Sequence, residues 1–165
     1  MIKDDPHNDL AKKSIYDVIL QALLLLVIIL FIIPLLFVFG IKNLLARIKF
    51  LSFIREQKKQ IIFVYSNSPH WKTYIEENYF PLLTGRAFTL NWSERATWDE
   101  KEWPVKAVKY WGGDREFNPM AIVYINFFKI KVIRFFSAFN DYKFGRTTQL
   151  KKVEDEFFNA IRKIQ

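Results

Sequence analysis

Residues 60–71 read QIIFVYSNSPHW, a short apolar run followed directly by turn-forming residues. An apolar run of this length that stops at such residues is typical of a buried strand, here over 60–66. Pro69 then stands where a helix would begin, because proline is tolerated in the first turn of a helix. We therefore expect a helix over 70–83 immediately after the strand. Its inward side chains are predicted to be Trp71, Tyr74, Ile75 and Tyr79.

The chain beyond this unit carries further strand and helix patterns. They predict a strand over 86–92, a helix over 99–111, strands over 119–127 and 131–139, and a helix over 148–164. The resulting order is β-α-β-α-β-β-α, an α/β domain over 60–165. The first two strands should be parallel, because a helix connects them, and the last two should form an antiparallel hairpin.

This order resembles a thioredoxin-like domain of the glutaredoxin and thioredoxin type. The first strand runs into Asn67-Ser68-Pro69-His70-Trp71 at a helix start, which is where that family carries its C-x-x-C motif. Pro119 opens the third strand, in NPMAIVYINF, where family members have a cis-proline facing the motif. The resemblance implies the fold, and it implies a cis bond between Asn118 and Pro119.

The sequence contains no cysteine. Thiol–disulfide exchange requires a thiolate, so the activity best known for this family is excluded, as are disulfides and zinc-thiolate sites. Residues 67–70 or 68–71, depending on the register, occupy the redox positions. We therefore expect a redox-inactive module that binds a protein or acts as a scaffold, with no cofactor. The alternative is an enzyme that uses the former redox pocket for non-thiol or glutathione-linked chemistry, with Ser66, Ser68 or His70 as polar groups.

The segment 91–119 is unusual because it holds four of the five tryptophans. It begins at the carboxyl end of the second strand, the edge at which α/β sheets bind ligands. Tryptophan and arginine also dominate the energetics of protein interfaces. The alternative is that the tryptophans cover the sheet and that Arg95 pairs with a carboxylate. The candidate pocket or partner-binding residues are Ser66, Ser68, His70, Trp71, Trp92, Glu94, Arg95, Trp98 and Pro119.

Other chemistries find little support in the sequence. His7 and His70, the only histidines, lie on opposite sides of a long apolar run, so no metal site is expected. A serine hydrolase would need a nucleophile turn such as G-x-S-x-G, and a phosphate cradle would need a glycine-rich loop; neither motif occurs. Nucleic acid is not an expected partner, because most of the net charge of +8 lies beside the apolar run.

That run, residues 18–41, reads VILQALLLLVIILFIIPLLFVFGI and contains no charged residue. As a helix it would be roughly 36 Å long, against a hydrocarbon core of about 30 Å. We predict a transmembrane helix over 18–41 after a short polar N-terminus, 1–17. Pro34 removes a hydrogen bond inside this helix and is expected to kink it.

Residues 42–59 carry an apolar stripe at helical spacing and many basic side chains. Two interpretations remain open: a basic amphipathic helix on an anionic leaflet, which we favour, or a continuation of the spanning helix that packs on a partner or on the soluble domain. Lysine and arginine number three in 1–17 and six in 42–59, which predicts a single-pass protein with its N-terminus outside and its large C-terminal part in the cytoplasm. The predicted membrane-surface residues are Lys42, Arg47, Lys49, Arg55, Lys58 and Lys59.

Overall fold

A computed structural model describes residues 6–113 and 118–164, with side chains from residue 15 onward. The chain divides into two compact units, Met1–Ala46 and Arg47–Gln165. The helices are α1 (Pro6–Val27), α2 (Ile33–Gln57), α3 (Lys72–Asn78), α4 (Phe80–Leu83), α5 (Trp103–Trp111), α6 (Phe136–Lys143) and α7 (Thr148–Arg162). The strands are β1 (Ile61–Tyr65), β2 (Ala87–Asn91), β3 (Met120–Asn126) and β4 (Lys129–Arg134).

The first unit is helical where it is described. Among the described residues, one helical stretch, Ile15–Gln57, is long and apolar enough to cross a membrane, and none of its most apolar window is buried. A π-helical turn, Ile28–Ile32, separates α1 from α2. Pro34 has no amide hydrogen to donate to the Leu30 carbonyl, four residues earlier, and its ring collides with that carbonyl. Leu30 lies inside the π-helical turn. The wider turn therefore stands where Pro34 was expected to disturb the helix.

The second unit is built on a four-stranded mixed sheet in the order β2-β1-β3-β4. The predicted parallel pair is confirmed, since β1 runs parallel to β2 with Ile61 opposite Ala87. The predicted hairpin is also confirmed, since β3 and β4 are antiparallel. β1 lies between β2 and β3 and is antiparallel to β3, with Val64 opposite Met120. The class is therefore mixed α/β, as expected.

Each face of the sheet carries its own apolar core. Successive strand residues point to opposite faces, so Ile61 and Phe63 belong to one core while Ile62 and Val64 belong to the other. Helices α3, α6 and α7 cover the first face, and their buried members include Ile75, Phe139 and Phe157. The inward residues predicted for 70–83 lie on this side: three are buried and Tyr74 is half-buried.

The second face is covered by α5 and by the C-terminal part of α2. Phe50 and Ile54, which are 2% and 3% exposed, pack there against β1 and β3 residues. The compact unit accordingly begins at Arg47, before the predicted boundary at residue 60. Residues 47–57 therefore pack on the domain through Phe50 and Ile54, which are buried in that core.

Three predicted elements differ from the structure. The helix predicted over 70–83 is two helices, α3 and α4, because Pro81 has no amide hydrogen with which to continue the helix past Tyr79. Residues 135–139, predicted as the end of a strand, instead lead into α6, because β4 ends at Arg134. The buried side chains Phe135, Ala138 and Phe139 are spaced three and four apart, which is helical spacing. The helix predicted over 99–111 begins only at Trp103, with Pro104 in its first turn, because Asp99 organises a separate turn by accepting a bond from the Lys101 amide at 2.8 Å.

Candidate functional site

The loop after β1 contains the predicted polar residues but exposes them unequally. Ser66 is buried, Ser68 is half-buried and His70 is exposed. The Ser68 carbonyl accepts the amides of Trp71 and Lys72 at 3.3 and 3.0 Å, and its hydroxyl accepts the His70 amide at 3.4 Å. Ser68 thus organises the start of α3, which is a local structural task.

The turn after β2 is tied to this loop by side-chain hydrogen bonds. Asn91 begins a 3-10 turn, Trp92–Thr97, by accepting the Ser93 amide at 3.1 Å. Its Nδ2 donates to Glu94 Oε1 at 2.7 Å and to Asn67 Oδ1 at 3.2 Å. The Asn67 amide in turn donates to Ser93 Oγ at 3.0 Å. The two loops therefore meet at the carboxyl ends of the parallel strands, as the sheet order requires.

Sequence reasoning placed 91–95 at this edge and chose Glu94 and Arg95 as site residues, but it did not choose Asn67, Asn91 or Ser93. A signal for them exists, because an asparagine follows or ends each of the two parallel strands. Asparagine at such a position commonly bonds the backbone of the next turn.

A cavity of about 330 Å³ lies beside this turn. Its described lining consists of Trp92, Arg95, Trp98, Glu100, Val105, Val108, Lys109 and Gly113. The Trp92 and Trp98 rings meet edge to face, with centroids 5.6 Å apart. The Arg95 guanidinium lies 5.2 Å from the centre of a Trp92 ring, and its Nη1 donates to the Trp92 carbonyl at 3.3 Å. We call this cavity the tryptophan groove.

The rim of the tryptophan groove carries both signs of charge. Lys109 Nζ lies 2.5 Å from Glu100 Oε1, in an ion pair whose two side chains are largely exposed. Trp92, Trp98, Trp103 and Trp111 are each half-buried against the second core. The segment therefore covers the sheet and at the same time lines a surface groove. Asp114 and Arg115, which also belong to the predicted segment, lie outside the described residues.

Pro119 stands at the same end of the sheet as the loop after β1. The Asn118–Pro119 bond is cis, as the resemblance implied. Because Val64 pairs with Met120, extending the register sets Pro119 opposite Tyr65. The Pro119 carbonyl accepts the Phe135 amide at 2.9 Å.

Two buried polar atoms near these elements have no hydrogen-bond partner among the described residues: Trp71 Nε1 and Asn118 Oδ1. The Trp71 ring packs on Phe136 and Phe139, with centroids 6.5 and 5.9 Å apart. Trp71, the residue directly before α3, is thus a core side chain more than a surface group.

Tyr65 is the titratable group at the end of β1. Burial raises the pKa of its hydroxyl, and the nearby carboxylates of Glu94 and Glu76 raise it further. The hydroxyl therefore stays protonated at neutral pH and can act only as a neutral donor or acceptor. In the described part of the chain, no group of three histidine, aspartate or glutamate side chains could hold a metal ion.

The predicted membrane-surface residues divide into two groups. Lys42, Lys49, Arg55 and Lys58 are exposed. Arg47 and Lys59 are half-buried: Arg47 Nη1 donates to the Phe127 carbonyl at 3.1 Å, and Lys59 Nζ lies 4.8 Å from the centre of the Phe88 ring.

Comparison with known proteins finds no match among protein-family models, curated proteins or solved structures.

Proposed function

We propose that this protein is a membrane-anchored, thioredoxin-like module that has no redox activity and binds a partner protein through the tryptophan groove. The strand order β2-β1-β3-β4, with one parallel pair and two antiparallel pairs, supports the thioredoxin-like assignment. Helices on both faces of the sheet and the cis bond before Pro119 support it too. The absence of cysteine excludes thiol chemistry.

The tryptophan groove is the observation that carries the binding role. Its volume of about 330 Å³ is large enough for a side chain of a partner. Trp92 and Trp98 offer apolar edges, and Arg95 offers a cation at the surface. Buried aromatic and arginine side chains supply most of the energy of protein interfaces. The expected partner segment presents an apolar side chain to the tryptophans and a carboxylate to Arg95.

Alanine at Trp98 or at Arg95 should abolish partner capture from native membranes, because each change removes one wall of the tryptophan groove. The measurement is a pull-down with the full chain, together with circular dichroism. Phe144→Ala is the matched control: Phe144 is 69% exposed and also lies beside cations, with Arg146 5.8 Å from its ring centre, but it does not line the groove.

Three results would count against this assignment. Equal loss of capture in Phe144→Ala would show that the groove is not the binding surface. Unfolding of the Trp98 and Arg95 variants would show that these side chains serve the core. A rise in the melting temperature on addition of glutathione would favour the enzymatic alternative, since a ligand that binds only the folded state stabilises it.

We also propose that the N-terminus is outside and the domain is cytoplasmic. The support is the excess of lysine and arginine in 42–59 over 1–17. Protease added to sealed right-side-out vesicles should leave the C-terminal domain intact and should digest it once the vesicles are opened. Digestion in the sealed vesicles would contradict this orientation.

A further inference from the structure

The turn between β3 and β4 carries two phenylalanines, the half-buried Phe127 and the exposed Phe128. Phe128 is 86% exposed, more than any other large apolar side chain in the described part of the chain. The turn is held by Asn126, whose Oδ1 accepts the Phe128 amide at 3.0 Å. Two-residue hairpin turns favour asparagine and glycine, not aromatic residues. Turn formation therefore does not account for these two side chains.

A basic groove adjoins this turn, between the C-terminal part of α2 and β3. Its cavity measures about 460 Å³ and is lined by Leu51, Ile54, Arg55, Lys58, Gln60, Tyr124, Asn126 and Phe127. The lining contains two cations and no carboxylate. Neither Arg55 nor Lys58 forms an ion pair with another described residue. The groove is therefore suited to an anion.

A third cation joins the groove to the turn. Arg47 Nη1 donates to the Phe127 carbonyl at 3.1 Å. Burial raises the pKa of the Tyr124 hydroxyl, and the positive charges of Arg55 and Arg47 partly oppose that rise. Lys49 of α2 and Lys129, the first residue of β4, are also exposed. The positive charge is thus concentrated around the base of the Phe127–Phe128 turn.

Chain connectivity brings this region near the end of the apolar run. Arg47 follows Ile41, the last residue of the run, by six positions. Six residues span at most about 20 Å in any conformation. The Phe127 carbonyl, hydrogen-bonded to Arg47, can therefore reach the surface of a bilayer that the run spans.

We propose that the basic groove binds the anionic head group of a bilayer lipid while Phe127 and Phe128 enter the interfacial layer. This inference rests on the membrane anchor of the proposed function, and it is independent of the tryptophan groove. Exposed aromatic side chains combined with basic ones bind anionic bilayer surfaces, because apolar burial and electrostatic attraction act together.

The absence of cysteine makes the test direct, because one introduced cysteine gives one labelling site. The full chain carrying Phe128→Cys, labelled with a nitroxide, is reconstituted into phosphatidylcholine vesicles with or without phosphatidylglycerol. The label at 128 should be more accessible to oxygen than to a water-soluble nickel chelate in the anionic vesicles. In the neutral vesicles the ratio should fall. A label at Phe144→Cys, another exposed phenylalanine, should report water in both.

The groove is tested by charge removal on the labelled chain. Arg55→Gln with Lys58→Gln should return the label at 128 to the aqueous value. The matched control, Lys151→Gln with Lys152→Gln, removes the same charge from exposed positions of α7 and should leave the ratio unchanged. An equal effect of the control pair would overturn head-group binding. So would insertion of the label at 128 that is the same with and without anionic lipid and in the groove variant.

A label at Leu25→Cys separates this inference from the anchor. If Leu25 reports the bilayer while position 128 reports water in anionic vesicles, the inference fails and the anchor stands. If Leu25 itself reports water, the anchor fails and the inference falls with it.

Discussion

Replacing Phe63 by alanine is expected to lower the free energy of unfolding of the domain by about 3–5 kcal/mol. Phe63 is completely buried in the middle strand pair of the sheet. Its ring packs against Tyr79 of the segment after β1, against Phe135 and against Phe157 of α7, with centroids 5.6, 5.9 and 5.9 Å apart. The substitution therefore opens a cavity among rings contributed by distant parts of the chain.

Denaturant unfolding of the full chain in detergent, followed by circular dichroism, measures this loss. Phe128→Ala is the control, because Phe128 is 86% exposed and packs on no core. It should change the free energy of unfolding by no more than about 0.5 kcal/mol. A loss below about 1 kcal/mol in Phe63→Ala would mean that the aromatic cluster does not stabilise the first core.

The second large effect is a loss of stability in alkaline solution that depends on Tyr79. The Tyr79 hydroxyl, fully buried, donates to Glu154 Oε1 at 3.0 Å, and the Tyr74 hydroxyl donates to the same oxygen at 2.7 Å. Burial raises the pKa of Tyr79 far above its ordinary value, and the Glu154 charge and the hydrogen bond raise it further. Glu154 thereby connects α7 to the segment after β1.

The direction of the pH effect follows from proton binding. An unfolded tyrosine loses its proton near pH 10, whereas folded Tyr79 keeps it to higher pH. The contribution of Tyr79 to the free energy of unfolding is therefore complete below pH 10 and is lost as the pH rises above that value. Above pH 10 the free energy of unfolding should fall by about 1.4 kcal/mol per pH unit because of Tyr79.

Tyr79→Phe should abolish this part of the slope, while costing about 0.5–1.5 kcal/mol near pH 8 through the lost hydrogen bond. The difference in the free energy of unfolding between the two chains should therefore shrink above pH 10. Tyr110→Phe is the control, because Tyr110 is 46% exposed. If the wild-type and Tyr79→Phe curves run parallel from pH 8 to pH 12, the buried hydroxyl does not couple folding to pH.

The elements of the domain were predictable from local pattern because strands and helices impose different spacings on apolar residues. The run IIFVY predicted β1, and the stripe Leu150, Phe157 and Ile161 predicted α7; both elements are confirmed. The strand prediction failed over 135–139, where Phe135, Phe136 and Phe139 satisfy either spacing when only their hydrophobicity is considered. Packing decides such a segment, and here it formed α6.

The candidate sites divide in the same way. Trp92, Arg95 and Trp98 were identified from residue type, because tryptophan and arginine are conspicuous in one short segment. The Asn67, Asn91 and Ser93 network was not, since hydrogen bonds between loops 24 or 26 residues apart depend on the strand order. The basic groove was not predicted either, because it combines Arg55 of α2 with Tyr124 of β3.

The sequence by itself determined the uncharged run that can cross a membrane, the class of the domain and the exclusion of thiol chemistry. These follow from composition and from short-range spacing, which every segment carries on its own. Only the tertiary structure decided that Phe50 and Ile54 belong to the core of the domain, and that Arg47 meets the turn at Phe127. Such contacts join segments far apart in the chain, and their partners become known only when the sheet order and both of its faces are known.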